Sequence, residues 1–174
     1  MAHQATLVVF KPDAIKRGLV GTAFSKLEPL RLEIVGAKVT PVSQALAEEH
    51  YKHIREKPFF RETVDHLRGT LHGTTAVLAL VLWGPDAVER VRQATGATNP
   101  EKADPMTIRG AYGRNLSTGL MENVLHSSSD PEDAAREIRL WFQPHELLRD
   151  IGIFTDEDRA SAPRTSARGS AASR

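Results

Sequence analysis

The chain of 174 residues contains no cysteine, which excludes disulfides and thiolate metal sites. It has no apolar run near the roughly 20 residues that a membrane-spanning helix needs. The opening Met1-Ala2-His3-Gln4 lacks the pattern of a signal peptide, so the cytoplasm is the expected compartment. A P-loop of the G-x-x-x-x-G-K-[ST] kind is also missing, and any nucleotide site must be built by other means. No internal repeat occurs. A strong charge of one sign is lacking too: the formal net charge is +1. Four arginines and no acids lie between Arg159 and Arg174; without them 19 basic residues face 22 acidic ones, or −3. A mildly acidic body gives no broad field for specific nucleic-acid binding. The basic tail alone would support only a salt-sensitive contact.

What remains is ordinary for a globular protein, with 40% hydrophobic and 26% charged residues. We expect one domain over residues 1–154. A Ser/Ala/Arg-rich tail over 155–174 is too poor in apolar residues to pack and is expected to be disordered. The run from Thr6 to Phe10 is apolar and β-branched, as in a central strand buried on both faces. Helical spacing of apolar residues follows over Gly18 to Leu30, and a second strand over Leu32 to Val42. Ser43 caps a helix carrying Ala47, His50, Tyr51 and Ile54, and Pro58-Phe59-Phe60 opens another. Ala76 to Trp83 reads as the most apolar strand, with a helix from Gly84-Pro85-Asp86 to Gly96. An irregular stretch with Pro100 and Pro105 leads to a last strand and helix. This order predicts a ferredoxin-like βαββαβ arrangement, a four-stranded antiparallel sheet covered by helices.

One histidine stands out. His126 follows the apolar step Asn123-Val124-Leu125 and precedes a strong helix start, with Asp130 as N-cap, Pro131 at the first helical position, and Glu132 and Asp133 in the first turn. A helix N-terminus offers an anion site, and a neutral imidazole is a competent nucleophile near neutral pH. Glu137 falls inside the apolar face formed by Ala134, Ile138 and Trp141. A carboxylate there is costly unless paired. One partner is His126, whose tautomer it would fix; others are an arginine such as Arg109, or solvent. Lys11 closes a buried strand, and Arg92, Thr98 and Arg109 flank the irregular stretch. A lysine, arginines and hydroxyls are the donors that polyphosphate recognition needs.

In chain order, Lys11-Pro12-Asp13, Arg17-Gly18-Leu19-Val20-Gly21, His50-Tyr51, Lys57-Pro58-Phe59-Phe60, Thr98-Asn99-Pro100, Thr107-Ile108-Arg109-Gly110, Asn123-x-x-His126 and Glu137-Ile138 resemble the nucleoside diphosphate kinases over about residues 5 to 148. The resemblance implies ping-pong exchange. A nucleoside triphosphate, typically ATP, phosphorylates His126, and a nucleoside diphosphate collects the phosphate. It implies that Glu137 orients the imidazole with the hydroxyl of Ser128 nearby, and that Tyr51 lines the site. Lys11 and Asn123 would reach sugar and phosphates; Arg92, Thr98 and Arg109 the polyphosphate; Phe59 the base. Magnesium would arrive on the nucleotide, with no direct metal ligand from the protein. It further implies a homo-oligomer, tetramer or hexamer. The alternative is a catalytically impaired nucleotide-binding scaffold of the same fold. Three departures stand out. Ser127-Ser128-Ser129 replace the family's Gly-Ser-Asp, with the acid Asp130 one place later. The segments Arg68 to Thr74 and Tyr112 to Glu122 are longer than usual. Met106 replaces a common glycine.

Overall fold

The computed structural model describes residues 3–160. Strand β1 (His3–Phe10) forms where the apolar, β-branched run predicts it, and Leu7, Val8, Val9 and Phe10 are fully buried. Alternate side chains of a strand leave on opposite faces, so a strand buried throughout needs cover on both sides. β1 lies inside an antiparallel sheet with β2 (Glu33–Pro41), β3 (Ala76–Pro85) and β6 (Leu125–Ser127), in the order β2-β3-β1-β6. Leu7, Val9, Val77, Ala79 and Val81 meet α3 (Gln44–His50), α4 (Phe60–Arg68) and α7 (Pro131–Trp141) through Ala47, Leu67, Ile138 and Trp141. On the other face Val8, Phe10, Leu80 and Leu82 meet α1 (Pro12–Lys16), α2 (Val20–Phe24), α5 (Ala87–Thr95) and α6 (Ile108–Tyr112). Each such aliphatic or aromatic side chain contributes about 1.5–3 kcal/mol by leaving water. The ferredoxin-like four-stranded antiparallel sheet is the predicted one.

Local signals set most boundaries. The Ser43 hydroxyl accepts the Leu46 N–H at 3.1 Å and starts α3. Asp130 accepts the Asp133 N–H at 2.8 Å and starts α7. The sequence overestimates one helix: Gly18 to Leu30 holds only the short α2 and a 3-10 turn at Glu28–Leu30, broken where Pro29 enters. It misses two elements, α6 and the hairpin of β4 (Arg114–Asn115) and β5 (Met121–Glu122), because neither is long enough to show a period. Residues 156–160 form α8 (Asp156–Ala160), where Asp158 accepts the Thr155 N–H at 2.8 Å and Arg159 reaches Asp150 at 2.8 Å. The rest of the expected disordered tail, 161–174, lies outside the described residues. No described helix is long and apolar enough to cross a membrane.

Candidate active site

Strand β6 pairs His126 opposite Val9 of β1, which puts the imidazole at the sheet edge beneath α7. Glu137 comes from the buried face of α7 and is fully shielded from water. His126 Nε2 lies 2.9 Å from one Glu137 carboxylate oxygen and 2.8 Å from the other. The Ser128 hydroxyl donates to Glu137 at 2.7 Å and accepts the Leu7 N–H at 3.1 Å. The carboxylate is therefore tied to β1 and β6 as well as its own helix. Of the alternatives open on sequence, the imidazole makes the short contacts, and Arg136 stands off at 3.8 Å. Arg109 is occupied elsewhere, donating to the Gly96 carbonyl at 3.1 Å and the Leu125 carbonyl at 2.9 Å.

Burial pushes the Glu137 carboxyl up to about 7, only partly opposed by His50 and the Ser128 hydrogen bond. Burial and the nearby charges of Lys11 and Arg109 hold His126 well below the usual imidazole range, so its ring is neutral near pH 7. With Nε2–H given to an ionised Glu137, the Nδ1 lone pair is free. The side chain keeps 15% of its surface exposed.

His50 is a site residue that sequence reasoning missed. It is fully buried, with its ring centroid 4.4 Å from that of His126, edge to face. Trp141 donates its indole N–H to His50 Nδ1 at 3.2 Å. An indole only donates, so the His50 proton is on Nε2. His50, His126 and Glu137 offer donor atoms within 4.8 Å of one another, a spacing that suits a metal. One nitrogen of each imidazole is already engaged, His50 Nδ1 by Trp141 and His126 Nε2 by Glu137. The only sequence signal for His50 was its place beside Tyr51 on a helix face.

Of the predicted phosphate ligands, Lys11 and Arg109 lie within electrostatic reach of His126. Lys11 Nζ donates to Asn123 Oδ1 at 2.6 Å, and Asn123 Nδ2 donates to the Thr98 carbonyl at 3.1 Å. Burial and the charge of Arg109 bring Lys11 down to about 8. Burial lowers Arg109 to about 10, with Tyr51 opposing and Arg92 adding to the fall. Arg109 thus lies within electrostatic reach of Lys11 on one side and of Arg92 on the other. Arg92 lines an open cleft of about 610 Å³ with Gly96, Ala97, Ser129 and Asp130. Gly96 has φ +86°, and a Cβ there would meet Thr107 Oγ1 at 2.2 Å, so the turn from Arg92 to Thr98 requires glycine. The buried Tyr51 ring centres 6.5 Å from that of His126, and burial followed by Glu137 keeps its hydroxyl protonated. Phe59 stands apart, 51% exposed at the head of α4.

One expectation fails. The N-terminus of α7 is not an open anion site. Asp130 fills it, and Asp133 takes the Ser129 hydroxyl at 2.8 Å and Arg136 at 2.6 Å. Arg92 lines the cleft, and the positive charges of Lys11 and Arg109 act on His126 instead.

A ferredoxin-like sheet presenting a carboxylate-clamped, neutral histidine, with Lys11 and Arg109 in electrostatic reach of it, is an arrangement suited to phosphoryl transfer. The family model described as nucleoside diphosphate kinase matches residues 4–147, and the chain belongs to that family. It is 46% identical over 145 residues to a nucleoside diphosphate kinase of Pyrococcus horikoshii, covering 83% of this chain and 88% of the relative. Among solved structures, the Borrelia burgdorferi nucleoside-diphosphate kinase transition-state mimic with bound vanadate and ADP matches with TM-score 0.76 and 31% identity, covering 91% of this chain and 96% of that one. The Halobacterium salinarum enzyme in complex with CDP matches with TM-score 0.75 and 37% identity, covering 91% and 98%. The activity is accordingly transfer of the terminal phosphate of a nucleoside triphosphate to a nucleoside diphosphate through phosphohistidine, with a divalent cation accompanying the nucleotide.

Proposed function

We propose that His126 is the residue phosphorylated, at Nδ1, and that Glu137 and Ser128 order it. The observation that carries this reading is the commitment of Nε2 to Glu137, at 2.9 Å and 2.8 Å, which leaves one nitrogen for attack. Nδ1 attacks the terminal phosphorus, a P–N bond forms, and the bond to the bridging oxygen breaks to release the diphosphate. Glu137 retains the Nε2 proton as positive charge develops on the ring. Lys11, Arg92 and Arg109 hold the phosphoryl oxygens where negative charge spreads. Asn123 holds Lys11 and reaches the sugar, and Thr98 contributes its exposed hydroxyl to the polyphosphate. The protonated Tyr51 hydroxyl serves as a donor beside the imidazole. Phe59 offers the base an exposed stacking face, and stacking tolerates any base. A second diphosphate then attacks the phosphohistidine along the same path.

Magnesium fits this site as the companion of the nucleotide. The charged groups nearest His126 include the cations Lys11 and Arg109, and Asp133 is held by Ser129 and Arg136. When bound, the ion neutralises phosphate oxygens. The enzyme is cytoplasmic and homo-oligomeric, as tetramer or hexamer. Assembly is supported by β2, a sheet-edge strand carrying Val39 at 70% and Ile34 at 40% exposure. The intact constellation of His126, Glu137 and Lys11 favours the kinase over an inactive scaffold. Phosphorus NMR of the ATP-treated protein tests the regiochemistry: we expect phosphate on Nδ1 of His126, and phosphate on Nε2 contradicts the assignment.

A further inference from the structure

Behind Lys11 and Asn123 lies a buried set of charges that the transfer chemistry leaves unused. It surrounds a turn in an unfavourable conformation. Val124 has φ +71°, a region that β-branched residues avoid, and the Leu125 N–H closes the turn on the Asn123 carbonyl at 2.8 Å. This turn sits between Asn123 and His126, so its shape fixes the angle between the Lys11–Asn123 pair and the nucleophile. Such a conformation persists only where its surroundings over-determine it.

Asp13 holds the turn directly, and Glu122 anchors the chain immediately before it. Asp13, at the head of α1, accepts the Val124 N–H at 3.0 Å and takes His66 Nε2 at 3.0 Å on its other oxygen. The Lys11 N–H meanwhile binds the Val124 carbonyl at 2.9 Å. Glu122, immediately before Asn123, takes His72 Nε2 at 3.0 Å, Arg114 at 2.6 Å and Arg17 at 3.4 Å. The two imidazoles stack on each other with centroids 4.8 Å apart, and both are buried. His72 comes from the 68–74 segment and Glu122 from the end of the 112–122 segment, the two stretches that sequence marks as long. They meet here. Burial disfavours the Asp13 charge, yet the His66 bond and the charge of Lys11 leave its carboxyl below the usual range, as an acceptor that holds the Val124 amide.

We propose that His72 and Glu122 are positioning residues, which with the Asp13–His66 pair clamp the strained Val124 turn and so set the aim of Asn123 and Lys11 relative to His126. This rests on the assignment of His126 and Lys11 given above. Loosening the turn leaves the phosphate-binding charges present but misaimed. Turnover then falls more than binding, because reaction is far more sensitive to placement than affinity is.

The test uses the full chain with His72→Ala, His72→Gln and Glu122→Gln. In the absence of nucleotide, amide exchange at Val124 reads the clamp directly, with Val81 in β3 as internal reference. For His72→Ala we expect Val124 exchange about 10-fold faster with Val81 unchanged, since local opening is independent of global unfolding. Single-turnover phosphorylation by ATP should slow about 10-fold while the Kd for ATP moves less than about 3-fold. The amide of His72→Gln can still donate to Glu122 and should restore both. Glu122→Gln keeps shape and weakens the charged bonds, so it gives the same pattern even if His72→Ala does not fold. Unchanged Val124 exchange, equal acceleration at Val81, or an unchanged phosphorylation rate overturns the proposal. Failure of the wild-type protein to label with ATP contradicts the His126 assignment instead, and Val124 exchange still decides the clamp.

Discussion

Replacing Glu137 by Gln should stabilise the fold at alkaline pH while slowing the chemistry. The carboxyl is fully buried, and burial lifts it from 4.5 to about 7. At 1.36 kcal/mol per unit, ionising it inside the fold costs ~3 kcal/mol. Its folded pKa lies above its unfolded one, so the folded state holds the proton longer as pH rises. The contribution to stability is complete below about 4.5 and is lost as pH climbs through about 7. Gln cannot ionise and escapes this loss. Urea denaturation should therefore show the variant gaining on wild type by ~2 kcal/mol between about pH 5 and about pH 8. Phosphorylation should go the other way. Only the ionised carboxylate keeps the proton on Nε2 and the Nδ1 lone pair free, so the wild-type single-turnover rate should rise with a midpoint at about 7. The Gln variant should be slower by about 10- to 100-fold, as when the partner that orients a functional imidazole is removed, and should lack that midpoint. A stability gap that does not change with pH, or a variant labelled at the wild-type rate, refutes the reasoning.

Other consequences follow from the same geometry. Burial and Arg109 bring Lys11 to about 8, so the charged ammonium is lost as pH rises through that value; ATP binding should weaken from pH about 7 to about 9.5, and Lys11→Met should weaken it at pH about 7 and remove most of the trend, as calorimetric titration will show. Phe59→Ala should weaken ATP and CTP alike by about 10-fold, within the range of base stacking, with little change in Tm because the ring is 51% exposed. Gly96→Ala places a Cβ 2.2 Å from Thr107 Oγ1 at φ +86° and should cost ~2 kcal/mol, or about 4–8 °C in Tm by calorimetry.

The sheet was legible because its strands are long and strongly patterned. Thr6 to Phe10 and Ala76 to Trp83 are apolar throughout, and two-sided burial is the one environment that rewards such runs. The helix caps at Ser43 and Asp130 were legible for a local reason, since each cap bond spans three residues. From spacing alone the need of Glu137 for a partner was legible but not which one, and only the family resemblance pointed to His126. That choice depends on β6 docking beside β1, which no local pattern states. His50 was hidden as an apparent core residue. The clamp of Asp13, His66, His72 and Glu122 was hidden more deeply, because its pairs span 53 and 50 residues and join loops without periodicity. The helix N-terminus misled for the opposite reason. Asp130 and Asp133 signal a strong helix start, and those same carboxylates close it to anions.

The central claim is that His126 itself carries the phosphate between nucleotides. The most direct test charges the protein with ATP labelled on its terminal phosphate, removes free nucleotide, and adds GDP, with His126→Ala in parallel. The account predicts acid-labile label on the wild-type protein, its quantitative passage to GTP, and none on the variant. Label that stays on the protein, or label on His126→Ala that still passes to GDP, contradicts it.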